Sequence, residues 1–210
     1  FNALFQLCNY YGTTGQYRTD LKLLEQMSQI ADQSKDPMLE AICCFGHTWP
    51  LLNVGELVQS IEYAKRLMDV YNQEKHGFLA YLFGYDVGVF NLGIGSWALW
   101  ILGYPDQALR QLNDAVNIAR QVGHPHSLAF VFLLSCELNW FLGNFPRIDK
   151  DTEELVALCE KNGFIYIGAH GYFYRGERAV FEGKVKEGIA QMRQNLAIME
   201  ATGTMTCFSR

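Results

Sequence analysis

Glycines punctuate this chain at a fixed interval, and that interval leaves few folds open to it. Turn-type glycines fall at Gly15, Gly55, Gly103, Gly143 and Gly183, separated by 40, 48, 40 and 40 residues. A second series of breakers, Pro37, Gly77, Gly123, Gly163 and Gly203, runs with gaps of 40, 46, 40 and 40. Two interleaved series at one period mean a repeated helix–turn–helix unit. The longer interval predicts an insertion near Phe78–Val89, where Gly84 and Gly88 supply an extra turn or loop. A third register runs seven residues before each turn glycine, where Cys8, Thr48, Ser96, Cys136 and Gly176 are all small. Two helices joined by a short turn approach closely, and a bulky side chain at their crossing would hold them apart.

The stretch from Gly93 to Gly123 shows the unit in full. An uncharged helix ends at Gly103, which accepts the left-handed conformation after a last helical turn. Pro105 and Asp106 then open the second helix, since proline tolerates the first turn and a carboxylate suits the positive end of the dipole. Apolar residues follow at Ala108, Leu109, Leu112, Ala115, Val116 and Ala119, one helical stripe. The pairs are read as about 1–34, 38–74, 88–121, 126–161 and 164–201, with an insertion at 78–87, in a single domain over 1–210. First helices are apolar nearly all round, as for helices flanked on several sides, and second helices are amphipathic. With no strand alternation or proline-rich linker in between, the expected fold is all-α, a right-handed α-solenoid of about five repeats.

Composition narrows the function classes. The net charge of -5 argues against a binder that tracks nucleic-acid phosphates, which needs a basic face. Among the six cysteines (Cys8, Cys43, Cys44, Cys136, Cys159 and Cys207) there is no C-x-x-C pair, so neither a zinc knuckle nor a thioredoxin-like site is indicated. Reduced, buried thiols in a cytoplasmic protein are expected instead. The uncharged run 87–105 approaches a membrane-spanning length, but its glycines, Asn91 and Ser96 sit in a repeat context, and no membrane association is expected. The chain opens without a signal peptide or an initiator methionine, and it ends after what reads as the start of another helix; the expectation is a piece of a longer protein.

Gly103, Tyr104, Ala108 and Ala115, with Ser96 on the first helix, are spaced like the turn, helix start and small packing positions of tetratricopeptide repeats, which the chain resembles with a longer period. The segments FLAYLFGYDVGV (78–89), SWALWILGYPDQAL (96–109), GHPHSLAF (123–130) and EGIAQMRQNLAIMEATG (187–203) look like one bacterial group. That group is the tetratricopeptide-like helical-repeat region of predicted signalling ATPases, often linked to class III adenylate or guanylate cyclase domains. The resemblance covers most of 55–203 and implies a regulatory module of a multidomain, cytoplasmic signalling protein. It gives this segment no catalytic role: no phosphate-binding GxxxxGK[ST] motif and no cyclase carboxylate pair is present.

In such solenoids the first helices line a concave surface. Positions ten, six and three residues before the turn glycines give Phe5, Asn9 and Gly12, then Phe45, Trp49 and Leu52, then Gly93, Trp97 and Trp100. The last two repeats give Leu133, Glu137 and Trp140, then Phe173, Glu177 and Val180, with His170 one turn before Phe173. All four tryptophans fall in these registers. The expected binding residues are therefore Phe45, Trp49, Trp97, Trp100, Glu137, Trp140, His170, Phe173 and Glu177. They would form a groove with an aromatic floor and an acidic C-terminal half, suited to peptides, sugars or cationic groups. The competing account is that the tryptophans fill a tightly wound core. Glu137 and Glu177 resist it, because a buried unpaired carboxylate costs several kcal/mol; each needs water, a ligand or a basic partner such as Arg175 or Arg178.

Three weaker motifs are read as structural. His124-Pro-His126 sits at a turn without carboxylates or thiols nearby. Cys44 and His47 share a helical face but lack a third orienting residue. Gly93-Ile-Gly-Ser-Trp-Ala98 mimics a dinucleotide fingerprint without a preceding strand. The chain is thus expected to be a non-enzymatic module without metal or cofactor. It would bind a protein or peptide segment, including other domains of its own chain, or alternatively sense a small metabolite or sugar-like molecule. The insertion is expected to pack over one end of the groove.

Overall fold

The computed structural model describes residues 1–202. The expected Gly203 breaker, Cys207 and the start of a further helix lie outside the described residues. Within them the chain is all-helical, and its helices are α1 (Asn2–Thr13), α2 (Tyr17–Ser34), α3 (Pro37–Val54), α4 (Leu57–Val70), α5 (Gln73–His76), α6 (Leu79–Phe83), α7 (Val87–Ile101), α8 (Pro105–Val122), α9 (Pro125–Phe141), α10 (Phe145–Asn162), α11 (Ile165–Phe181) and α12 (Val185–Ala201). Five long antiparallel hairpins result: α1/α2, α3/α4, α7/α8, α9/α10 and α11/α12.

One turn is built five times. Each of the five turn glycines has a positive φ, from 67° to 88°, where a Cβ would be strained. The amide that follows each glycine reaches back to a carbonyl of the last helical turn: Gln16 to Tyr11, Glu56 to Leu51, Tyr104 to Leu99, Asn144 to Asn139 and Lys184 to Ala179, all at 2.8–2.9 Å. These bonds satisfy carbonyls that a helix end leaves orphaned.

The second breaker series is less uniform. Gly123 and Gly163 end α8 and α10 in the left-handed conformation, but Lys35 takes that role after α2, at φ 54°, just before the Asp36 cap and Pro37. Gly77 departs from the expectation. It lies between α5 and α6 at φ -60°, and α4 instead stops at Tyr71 in an extended conformation. The second helix of that pair therefore ends at Val70 rather than near 74.

The described residues divide into two compact units, 1–124 and 125–202. In the first, α1 to α4 and α7 pack in sequence around a core that includes Phe5, Leu24, Met27, Phe45, Leu67 and Val87. In the second, α10 and α11 each pack against α9 and against each other, and α12 closes on α11. No described helix is long and apolar enough to cross a membrane; α7, which holds most of the uncharged run 87–105, has 15 residues.

The five small crossing residues are all buried, and so in every hairpin is the residue 12 positions on, five after the turn glycine. Ser60 Oγ donates to the Thr48 carbonyl at 2.8 Å. Asp20 hydrogen-bonds the Cys8 thiol. Gly188 meets Gly176 so closely that a Cβ on Gly188 would lie 2.4 Å from the Gly176 carbonyl oxygen. Ala108 and Ile148, at the same register of the third and fourth hairpins, are wholly buried.

The insertion forms α6, which with α5 just before it connects α4 to α7, and folds back on its own unit. Phe83 lies 4.4 Å from Phe5 and 5.5 Å from Phe45, ring centre to ring centre, so it covers the ten-before positions of the first two hairpins. Asp86, wholly buried, accepts from the Val89 amide to cap α7 and from the Tyr71 hydroxyl. Phe78, Tyr81 and Leu82 remain exposed on its outer side.

Candidate functional site on the first helices

In the 1–124 unit the expected groove residues have two fates. Phe45 is buried, stacked on Phe83 and edge-on to Phe90 at 5.0 Å, so it belongs to the core rather than to an open surface. Trp49, Trp97 and Trp100 are half-buried, and the last two meet edge-on at 5.5 Å on α7.

In the 125–202 unit, α9 contributes Glu137 and Trp140, and α11 contributes His170, Phe173 and Glu177. Glu137, Trp140, Phe173 and Glu177 are half-buried, whereas His170 is 9% exposed. Three ring contacts tie the turn end of the unit together: Trp140 to Phe181 at 5.3 Å, Trp140 to Phe145 at 5.9 Å, and Phe145 to Phe181 at 5.3 Å. Phe181 is 62% exposed, so this aromatic cluster opens to solvent.

The carboxylates sit in apolar surroundings, and both titrate high. Burial pushes Glu137 up to about 7, against a smaller lowering from its hydrogen bond with the Tyr174 hydroxyl. Burial likewise raises Glu177 to about 7, and its Oε2 has no hydrogen-bond partner. His170 moves the other way, to about 4, because burial disfavours the imidazolium; its Nε2 also lacks a partner. It is therefore a neutral imidazole at pH 7.

Neither arginine that could have paired with these carboxylates does so. Arg178 holds Asp149 through Nε at 2.6 Å and Nη2 at 3.2 Å and lies over the Phe145 ring. Arg175 lies over Tyr172. Tyr174 supplies the hydrogen bond to Glu137, a role no sequence signal marked, because its register carries Gln6, Gly46, Ile94 and Leu134 in the other hairpins.

The weaker motifs resolve as packing. Burial pushes the Cys44 thiol up to about 11, which leaves no thiolate at pH 7. His47 Nδ1 lies 2.8 Å from the Cys43 carbonyl while the ring stacks on Tyr63, so it does not address Cys44 as a base. His124 abuts Tyr81, His126 abuts Phe164, and no group of three metal-ligating side chains occurs among the described residues. Cys8, Cys43, Cys44, Cys136 and Cys159 are buried free thiols.

A cleft of about 430 Å³ lies apart from these registers, between the end of α10, the start of α11 and α12. Phe164, Gly168, Tyr172, Gln191, Gln194 and Asn195 are among its lining residues.

No family model matches the chain, and no curated protein sequence does. Solved structures do. A kinesin-light-chain-type protein of Podosopora anserina, built of nearly identical TPR-like repeats, superposes with a TM-score of 0.64 at 15% identity, covering 96% of this chain and 95% of that one. A singly substituted form of the same protein gives 0.65 with the same identity and coverage. At that identity the likeness is one of fold: the chain has the architecture of a tetratricopeptide-like helical-repeat protein.

Proposed function

We propose that the chain is a non-catalytic interaction module that holds a protein segment against the first helices of its hairpins. One observation carries this reading. The first-helix registers present half-buried tryptophans and Phe173, with the carboxylates of Glu137 and Glu177, which no arginine or lysine pairs. Partly packed aromatic side chains offer large contact area at low entropic cost. Burial pushes the thiol of Cys44, the nucleophile candidate of the sequence, up to about 11, which speaks against that catalytic alternative. The solved structures with this fold are repeat proteins, which agrees with a scaffold role.

The finer reading follows from the sequence resemblance: a regulatory arm of a bacterial signalling ATPase or nucleotide cyclase, working in the cytoplasm on another domain of its own chain or on a second protein. The sequence flanking this segment in its gene tests that context directly. A second reading, a small-molecule sensor, is favoured by the cleft between α10, α11 and α12, whose volume is in the range of small-ligand pockets.

A random dodecapeptide library displayed on phage and selected on the 210-residue chain tests the main reading. Enriched peptides should bind as synthetic molecules, and Trp140→Ala or Trp97→Ala should weaken one class of them at least tenfold. A library that yields no binder, or binders indifferent to every first-helix substitution, contradicts it. The sensor reading predicts a fluorescence change on titration with metabolites that Gln191→Ala abolishes.

A further inference from the structure

Three junctions join successive hairpins within the two units, α2 on α3, α4 on α7 and α10 on α11, and they share one register. Each presses a second helix against the first helix that follows it. Leu24 and Ala64, nine residues after their turn glycines, approach the next first helix where Gly46 and Gly95 admit them. A Cβ on Gly46 would lie 2.6 Å from Leu24, and one on Gly95 would lie 3.4 Å from the Ala64 Cβ. Ser28 and Val156, thirteen after their glycines, face residues twelve before the next one. Cys43 hydrogen-bonds Ser28, and a Cβ on Gly171 would lie 2.8 Å from Val156.

Both halves of this junction also stand open. Among the described residues no first helix follows α12, and no second helix precedes α1. On α12 the position nine after the glycine is Met192, half-buried where Leu24, Ala64 and Thr152 are buried. The position thirteen after it is Leu196, 37% exposed where Val156 is 2%. Ile189, 38% exposed, stands three and seven residues before them on the same face, so the stripe is apolar and holds no charge. On α1 the position twelve before the glycine is Ala3, exposed where Cys43, Asn91 and Gly171 are buried. Leu7 and Tyr10 continue that side, 47% and 59% exposed. No residue of α1 is charged, so no charge opposes its approach to an apolar stripe. Terminal helices of a solenoid that stay unpaired carry a polar outer face, and these two do not.

We infer that α12 of one copy packs on α1 of another, repeating between copies the α2/α3 junction. A second copy is the occupant because one chain carries both complementary halves: small Ala3 stands where Cys43 and Gly171 receive a second helix, and Met192 and Leu196 stand where Leu24 and Val156 enter. The contact is heterologous, so every dimer keeps one free α1 face and one free α12 face, and copies add head to tail until a ring closes. It lies apart from the first-helix tryptophans and holds whether or not those bind a peptide.

Sedimentation velocity on the 210-residue chain tests this. A junction of one helix pair is small, so assembly is expected in the micromolar to millimolar range, with a weight-average mass that rises with concentration. Leu7→Glu and Leu196→Glu, both at exposed positions, should each weaken self-association at least tenfold. Mixed in equal amounts they should form a dimer and nothing larger, because each supplies the face that the other has lost. A chain that stays monomeric up to about 1 mM, as it would if these faces served a helix of another protein, overturns the inference. So does association that neither substitution weakens, or a mixture that assembles no better than its components, the mark of a face pairing with itself. If either variant fails to fold by circular dichroism, benzoylphenylalanine at Leu196 in the otherwise unaltered chain decides. Adducts to α1 of an isotope-labelled second copy support the inference, and their absence overturns it.

Discussion

Asp20 shows how a single residue at a hairpin crossing can set a pH dependence. It occupies the position that is Ser60, Ala108, Ile148 or Gly188 elsewhere, is 4% exposed, and lies against Gly12 and Cys8. Burial raises its carboxyl from 3.8 to about 7, partly offset by the Cys8 hydrogen bond. The folded state therefore holds a proton that the unfolded state releases between those values. The resulting stability is fully present below pH 3.8 and is lost as pH rises to about 7. Asp20→Asn should remove that slope and be more stable than wild type above pH 7, by about 1–3 kcal/mol. Urea denaturation of both proteins from pH 4 to 8 checks the sign. Gly188 is the steric counterpart: a methyl group there has the Gly176 carbonyl at 2.4 Å and Val180 at 2.7 Å. Gly188→Ala should cost about 1–3 kcal/mol in the same assay, the usual range for overpacking.

At the scale of elements, the insertion acts as a wedge. Phe83 on α6 touches Phe5 and Phe45 on the first helices of two hairpins, joining segments that a plain repeat would leave to local packing. Phe83→Ala should destabilise the 1–124 unit by about 2–4 kcal/mol, read as a lower thermal midpoint. The same element shows what the sequence could reveal. The five turn glycines and the small residue seven before each were legible, because a left-handed turn and a close crossing each admit few side chains. The buried residue five after each turn glycine was not, since Asp20, Ser60, Ala108, Ile148 and Gly188 share no chemistry. Gly77 kept the forty-residue spacing and yet serves a right-handed turn inside the insertion, so spacing alone misplaced the end of α4. For the site, helical register identified the face but not the depth. Phe45 and Trp49 are neighbours on that face, and Phe83 of α6 with Phe90 of α7 makes the first of them core.

Across the whole molecule, five hairpins with one turn geometry present five first helices, and every tryptophan of the chain lies on them. The second helices carry most of the charged, solvent-facing positions. This division of labour is the central claim, because it assigns partner binding to one member of each pair. A photoreactive benzoylphenylalanine placed singly at Trp49, Trp97 or Trp140, and at Gln29, Lys65 or Asp114 on the exposed sides of α2, α4 and α8, measures it with a selected peptide. Covalent adducts from one or more first-helix positions, and none from the second-helix positions, are the predicted result; adducts that form from Gln29, Lys65 or Asp114 instead would contradict it.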